Sequence, residues 1–125
     1  MPSWVDQVEW HPLLDQRALL AQARRIGVGL TAYAPLARGR VAEEPVVEAI
    51  AADHGVAPGQ VALAWVLQQG GAAIPMARSE ANQRASLAAA DLVLRAREMA
   101  ALDALQARDL RVVASPPKGA AFDWV

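Results

Sequence analysis

The chain has 125 residues and a mass of 13.3 kDa, enough for one domain with a modest core and too short for two. Hydrophobic residues make up 54% and charged residues 20%, which excludes an intrinsically disordered chain, and a net charge of -1 offers no general electrostatic case for binding nucleic acid or an anionic membrane. The absence of cysteine removes disulfides, thiolate metal sites and cysteine nucleophiles together.

Met1-Pro2-Ser3-Trp4 lacks the basic flank and apolar run of a signal peptide, and no apolar stretch approaches the roughly 20 residues of a membrane span. A cytoplasmic domain is the expectation. Val5 to Trp10 alternates in the manner of a short strand, and His11-Pro12 ends it because proline cannot donate to a ladder. Asp15 is placed to cap a helix over Gln16 to Ile26, with Leu19, Leu20, Ala23 and Ile26 on its inward face and Gly27 as its stop. Val28 to Tyr33 is a compact apolar run, read as a strand buried on both faces.

Ala34 to Glu44 reads as a loop of small and basic residues. Pro45 suits a first helical position, Val46, Val47, Ile50, Ala51 and His54 follow helical spacing, and Gly55 closes that helix. Pro58 opens another helix, which runs to Gln69 before Gly70-Gly71. Ala72 to Pro75 reads as a third short buried strand. Ser79 is a cap for a helix from Glu80 to about Ala90, and Asp91 to Leu94 is a short extended linker. Arg95 to Gln106 is a helix with Met99, Leu102 and Leu105 inward, and the residues after Arg108 look irregular. Strands alternating with helices argue for a parallel α/β architecture.

Three segments together carry a specific resemblance. They are Asp6-Gln7-Val8-Glu9-Trp10-His11-Pro12, Leu30-Thr31-Ala32-Tyr33-Ala34-Pro35-Leu36-Ala37-Arg38-Gly39, and Pro58-Gly59-Gln60-Val61-Ala62-Leu63-Ala64-Trp65 leading to Ala73-Ile74-Pro75. In this order they resemble the C-terminal half of an aldo-keto reductase, on the branch of the bacterial 2,5-diketo-D-gluconate reductases. The tail, with Asp109, Arg111-Val112-Val113, Ser115-Pro116 and Asp123-Trp124, is similar to the end of that branch.

The resemblance implies a partial (β/α)8 barrel, with the three strands as barrel strands six to eight in residues 1–125; a complete barrel needs about 250 residues. It implies reduction of a small carbonyl compound by NADPH, with NADH not excluded. The family's acid is a tyrosine tuned by a lysine, since a phenol of pKa about 10 donates poorly near neutrality without a nearby cation. Here Tyr33 matches the nicotinamide-stacking position and the single lysine, Lys118, lies in the tail, so no catalytic residue is assigned. His11 belongs to the structural His-Pro pair, and neither it nor His54 matches the catalytic histidine.

On the cofactor side, Gln7 matches the carboxamide-binding glutamine, and Pro35, Leu36, Ala37 and Gly39 match the loop along the pyrophosphate. Met76-Ala77-Arg78-Ser79-Glu80 should meet the 2′-phosphate. It departs from the family at Met76, Ala77, Asn82, Ala85 and Ser86. Arg78 and Ser79 are either phosphate ligands by physical substitution or a solvated arginine beside a helix cap. Nothing resembles a metal cluster, a Walker loop or a nucleophile elbow. The partners implied are a complementing N-terminal half or a second copy of the chain. The alternative function is a non-catalytic, nucleotide-binding or self-associating fragment.

Overall fold

The structure, a computed structural model, describes residues 4–113. Ser115, Pro116, Lys118, Phe122, Asp123 and Trp124 lie outside the described residues. The elements are β1 (Val5–Glu9), α1 (Arg17–Ile26), β2 (Gly29–Tyr33), a 3₁₀ segment (Ala37–Glu43), α2 (Pro45–His54), α3 (Pro58–Gln68), β3 (Ala72–Ile74), α4 (Glu80–Ala88) and α5 (Ala96–Ala104). The three strands lie in the order β1-β2-β3 and all pair in parallel. Glu9 stands beside Tyr33, and Tyr33 beside Ile74, so the C-terminal ends of the strands are level. Each crossover carries helix, as parallel pairing requires.

The two faces of the sheet differ. Trp10, Leu30 and Ala32 are buried against the helices, and Trp10 meets Trp65 of α3 edge-on at 6.1 Å between ring centroids. Apolar residues on six consecutive positions of α3, Val61 to Val66, are buried, so this helix is the centre of the helical layer. At Gly71 a Cβ would lie 2.2 Å from Trp10 Cζ3, so only glycine lets the indole reach α3. The opposite face of the sheet is open. Gln7 and Ala72 are exposed, Thr31 and Tyr33 are half-buried, and Ile74 is 53% exposed.

Several expectations from the sequence are corrected. Neither β2 nor β3 is buried on both faces: β2 alternates, and β3 is a three-residue edge strand with Ala72 and Ile74 exposed. Hydrophobic runs mark strands that a complete barrel would bury, and among the described residues these strands have helices on one side only. Ile26 is 60% exposed at the end of α1, and among the described residues no strand pairs with the far edge of β1. Gln16, not Asp15, stands at the cap position of α1; Asp15 Oδ1 instead accepts the Arg17 backbone N–H at 3.1 Å and the Arg17 Nε at 2.8 Å. That arginine holds the Asp15 carboxyl down to about 2. The segment after Leu36 is a kinked 3₁₀ turn rather than plain loop, and Ala89–Asp91 forms a 3₁₀ turn before the extended residues.

The helix ends otherwise follow their local chemistry. Gly27 ends α1 with φ +76°, Pro45 opens α2, and Ser79 Oγ accepts the Asn82 N–H to open α4. Gln60 and Glu98 reach back to the backbone N–H groups of Ala57 and Arg95, at 3.0 and 2.8 Å. Buried Glu98 also accepts from His54 at 2.9 Å, joining α2 to α5. Burial alone raises its carboxyl, but the Arg95 amide and His54 outweigh that, and the net direction is down.

Candidate functional site

Two cavities open at the C-terminal ends of the strands, where a barrel builds its site. The first, of about 810 Å³, runs along β1, an edge strand of the sheet, and is lined by Asp6, Gln7, Val8, Glu9, Gln16, Leu19, Tyr33 and Arg111. The second, of about 600 Å³, lies over the ends of β2 and β3 and is lined by Ala34, Pro35, Leu36, Arg38, Gly39, Ile74, Met76 and Val113. A smaller one of about 210 Å³ continues from Leu36 and Met76 to Gly59, Gln60, Asn82, Ala85 and Ser86.

The alternation of β1 sends Gln7 and Glu9 to the same face. Parallel register then brings Tyr33 beside Glu9. Gln7 and Tyr33 thus share the first cavity, as two side chains from neighbouring strands. Pro35, Leu36 and Gly39 share the second. Ala37 lies beneath them, fully buried. This turn has an unusual backbone: Ala34, Ala37 and Arg38 adopt φ of +48°, +50° and +54°, and Gly39 φ +87°. Left-handed backbone at alanine and arginine costs about 1–2 kcal/mol per residue, so the surrounding packing must enforce it. Two of its backbone N–H groups close the turn on itself: Ala37 donates to the Ala34 carbonyl and Gly39 to the Leu36 carbonyl, each at 2.9 Å. Nothing lies within 4 Å of a Cβ added at Gly39, so the backbone there is open to a ligand.

Arg78 and Ser79 lie apart from this pair of cavities. Ser79 Oγ is engaged in the cap of α4, and Arg78 is exposed. Arg84 pairs with Glu80 at 2.7 Å. The small cavity near Asn82, Ala85 and Ser86 has no charged side chain in its lining.

Glu9 is the feature that reading the sequence missed. Its carboxylate is fully buried and gathers three donors. Oε2 accepts the Val112 N–H at 2.8 Å and His11 Nε2–H at 2.9 Å, and Oε1 accepts the Val113 N–H at 3.0 Å. His11 Nδ1 accepts the Leu13 N–H at 3.2 Å, so the ring proton sits on Nε2 and points at Glu9. Burial pushes the Glu9 carboxyl up, but the Val112 amide, His11 and the Val113 amide together hold it below its ordinary value. Burial pushes His11 down, and the attraction of Glu9 only partly offsets this, which keeps the ring neutral. The His-Pro pair is structural, and its task is to brace the carboxylate that holds residues 112 and 113. Two further contacts fix the same segment: the Leu110 N–H donates to the Leu13 carbonyl at 2.8 Å, and Arg108 pairs with Glu44. A charged residue two positions before His-Pro at a strand's end was the signal available in the sequence.

Among the described residues no group of three or more His, Cys, Asp or Glu side chains could hold a metal ion, and no helix is long and apolar enough to cross a membrane.

Comparison with known proteins places these features in context. The model of the aldo/keto reductase family matches residues 1–107. Methylglyoxal reductase DkgB of Yersinia pestis is 39% identical over 119 residues, covering 95% of this chain and 43% of that protein. An aldo-keto reductase of Mycolicibacterium vanbaalenii is 40% identical over 101 residues, covering 81% of this chain and 36% of its own length. Among solved structures, a variant of Gox0644 in complex with NADPH superposes with a TM-score of 0.86 at 31% identity, over 95% of this chain and 44% of that one. The chain spans less than half the length of the relatives it matches, and its three parallel strands with their helices are a partial barrel.

Proposed function

The chain belongs to the aldo/keto reductase family of oxidoreductases, and on that premise we propose that it forms the cofactor-binding part of an NADPH-dependent carbonyl reductase. One observation carries the reading. The left-handed turn Ala37-Arg38-Gly39 and Pro35-Leu36 border a cavity of about 600 Å³ over the ends of β2 and β3. The loops after the last two strands are where barrels of this architecture commonly bind phosphate. The residues fit a dinucleotide: open backbone at Gly39, apolar cover from Leu36 and Met76, and a guanidinium at Arg38.

Gln7 and Tyr33 take the nicotinamide end in this reading. The Gln7 amide offers a donor and an acceptor to a carboxamide, and the Tyr33 ring offers an apolar face. NADPH, when bound, supplies the hydride. The chain's own part is to hold the ring against the open face of the sheet. Arg78 and Ser79 remain proposed contacts of the 2′-phosphate, with Ser79 acting from its place at the head of α4. Residues 1–125 would form one incomplete barrel unit. Catalytic acid and base groups are assigned outside this chain, whose sequence holds one tyrosine and one lysine. The open sheet face favours a complementing polypeptide or a second copy as cover. A cysteine-free chain suits the reducing cytoplasm in which such an enzyme would work.

Titration of the purified chain with NADPH, followed by nicotinamide fluorescence, is expected to give a saturable change without carbonyl-dependent NADPH oxidation. No saturable change up to about millimolar cofactor removes the reading.

A further inference from the structure

We propose that this chain does not discriminate between NADPH and NADH: at the head of α4 its dinucleotide site offers a 2′-phosphate one exposed guanidinium, and the two cofactors bind within about fivefold of one another. The inference rests on the reading of the cavity over the ends of β2 and β3 as the dinucleotide site, and adds which dinucleotide that site takes.

The order of the strands sets the direction of the cofactor. With the nicotinamide beside β1 and the pyrophosphate over β2 and β3, the adenosine continues past β3 toward α4. Leu36 and Met76 line both the larger cavity and the smaller one that follows it, so the two are continuous. The polar side chains of the smaller cavity are Gln60, Asn82 and Ser86, all neutral. Gln60 Oε1 is taken by the Ala57 N–H at 3.0 Å, which leaves its NH₂ donors. Carboxamides and a hydroxyl suit a base and a ribose. A phosphomonoester carries about -1.5 to -2 charges near neutrality and leaves water only for cationic partners.

The charged groups of α4 do not supply them. Arg84 Nε and Nη2 both donate to Glu80 Oε1, at 2.9 and 2.7 Å, so that guanidinium is engaged. Glu80 itself stands in the first turn of α4, where it takes the positive end of the helix dipole and repels an anion. Ser79 Oγ accepts the Asn82 N–H and has one neutral O–H to give. Arg78 is left, and it is exposed and lines neither cavity. An ion pair between exposed groups is screened by salt and worth a factor of about five at most. Among the described residues that factor is the whole of the preference. The 2′-phosphate of NADPH stays in solvent beside Arg78, and NADH forgoes only that contact.

The test titrates the whole 125-residue chain with NADPH and with NADH, each followed by nicotinamide fluorescence, at about 0.05 M and about 0.5 M salt. Saturable binding of both is expected, with dissociation constants within about fivefold at the lower salt and converging at the higher. A larger ratio in either direction, or a preference for NADPH that survives the higher salt, overturns the proposal. Asn82→Arg puts a guanidinium into the lining of the smaller cavity, while the backbone N–H of residue 82 keeps the Ser79 cap. It is expected to raise the preference for NADPH at least about tenfold. An unchanged ratio in that variant overturns the placement of the adenosine and the proposal with it, and where the variant does not fold the wild-type ratio decides alone. NADPH binding without NADH binding sinks this inference and leaves the dinucleotide site standing; binding of neither cofactor sinks both.

Discussion

Replacing Glu9 with glutamine probes the contact that joins the end of β1 to residues 112 and 113. The substitution keeps shape and one acceptor oxygen, and turns the other oxygen into a donor. Three N–H groups now point at that carboxylate, from Val112, Val113 and His11. In the variant at least one of them faces an NH₂ group. Losing one hydrogen bond to a charged acceptor costs about 1.5–3 kcal/mol, and relief from burying a charge returns part of it, so a net loss of about 1–3 kcal/mol is expected. Urea unfolding followed by tryptophan fluorescence reads this as a lower midpoint with the same slope. A second comparison isolates the cause. In a chain ending at Leu110 the two amides are gone, and Glu9→Gln should then cost much less, since only the His11 N–H still depends on the carboxylate. The same loss in the full and the shortened chain would refute the assignment of that energy to residues 112 and 113.

The same pair makes stability depend on acid. The folded state lowers the His11 pKa, so the unfolded chain binds the extra proton first and stability falls as pH drops below the ordinary 6.5. The Glu9 carboxyl is also held low; its contribution is complete above the ordinary 4.5 and disappears as pH falls through the folded value. Unfolding midpoints measured from pH 8 to 4 should decline throughout, and His11→Gln should flatten the upper part of that decline. Gly71→Ala should destabilise by about 1–3 kcal/mol or more, because the new methyl would sit 2.2 Å from the Trp10 ring; a melting temperature within a degree of wild type would disprove that packing. Leu102→Ala removes a fully buried side chain of α5 and should cost about 2–5 kcal/mol in the same assay. Gly39→Ala has space for its methyl but not the conformational freedom, so it should lose about 1–2 kcal/mol and weaken NADPH binding in the fluorescence titration.

Sequence alone determined the elements, because their signals are local. Gly27 after an apolar helical stripe, Pro45 and Pro58 at first helical positions, and Ser79 before an acidic turn each act within a few residues. The alternation of β1 put Gln7 and Glu9 on one face, and the parallel order followed from strands separated by helices. The resemblance carried by the ordered motifs located the Pro35–Gly39 turn, although its left-handed alanines could not be read from propensity, which disfavours them. Tertiary structure decided the rest. Apolar runs at β2 and β3 encode burial in a larger barrel, and only the assembled sheet reveals that one face is partly exposed among the described residues. The fold also shows that the Ser79 hydroxyl accepts the Asn82 N–H at the head of α4. Glu9 and the Val112 and Val113 amides are 103 and 104 positions apart, and no local rule links groups at that distance. Their meeting depends on chain closure over the whole helical layer, which is why the residue that holds Val112 and Val113 looked like an ordinary strand glutamate.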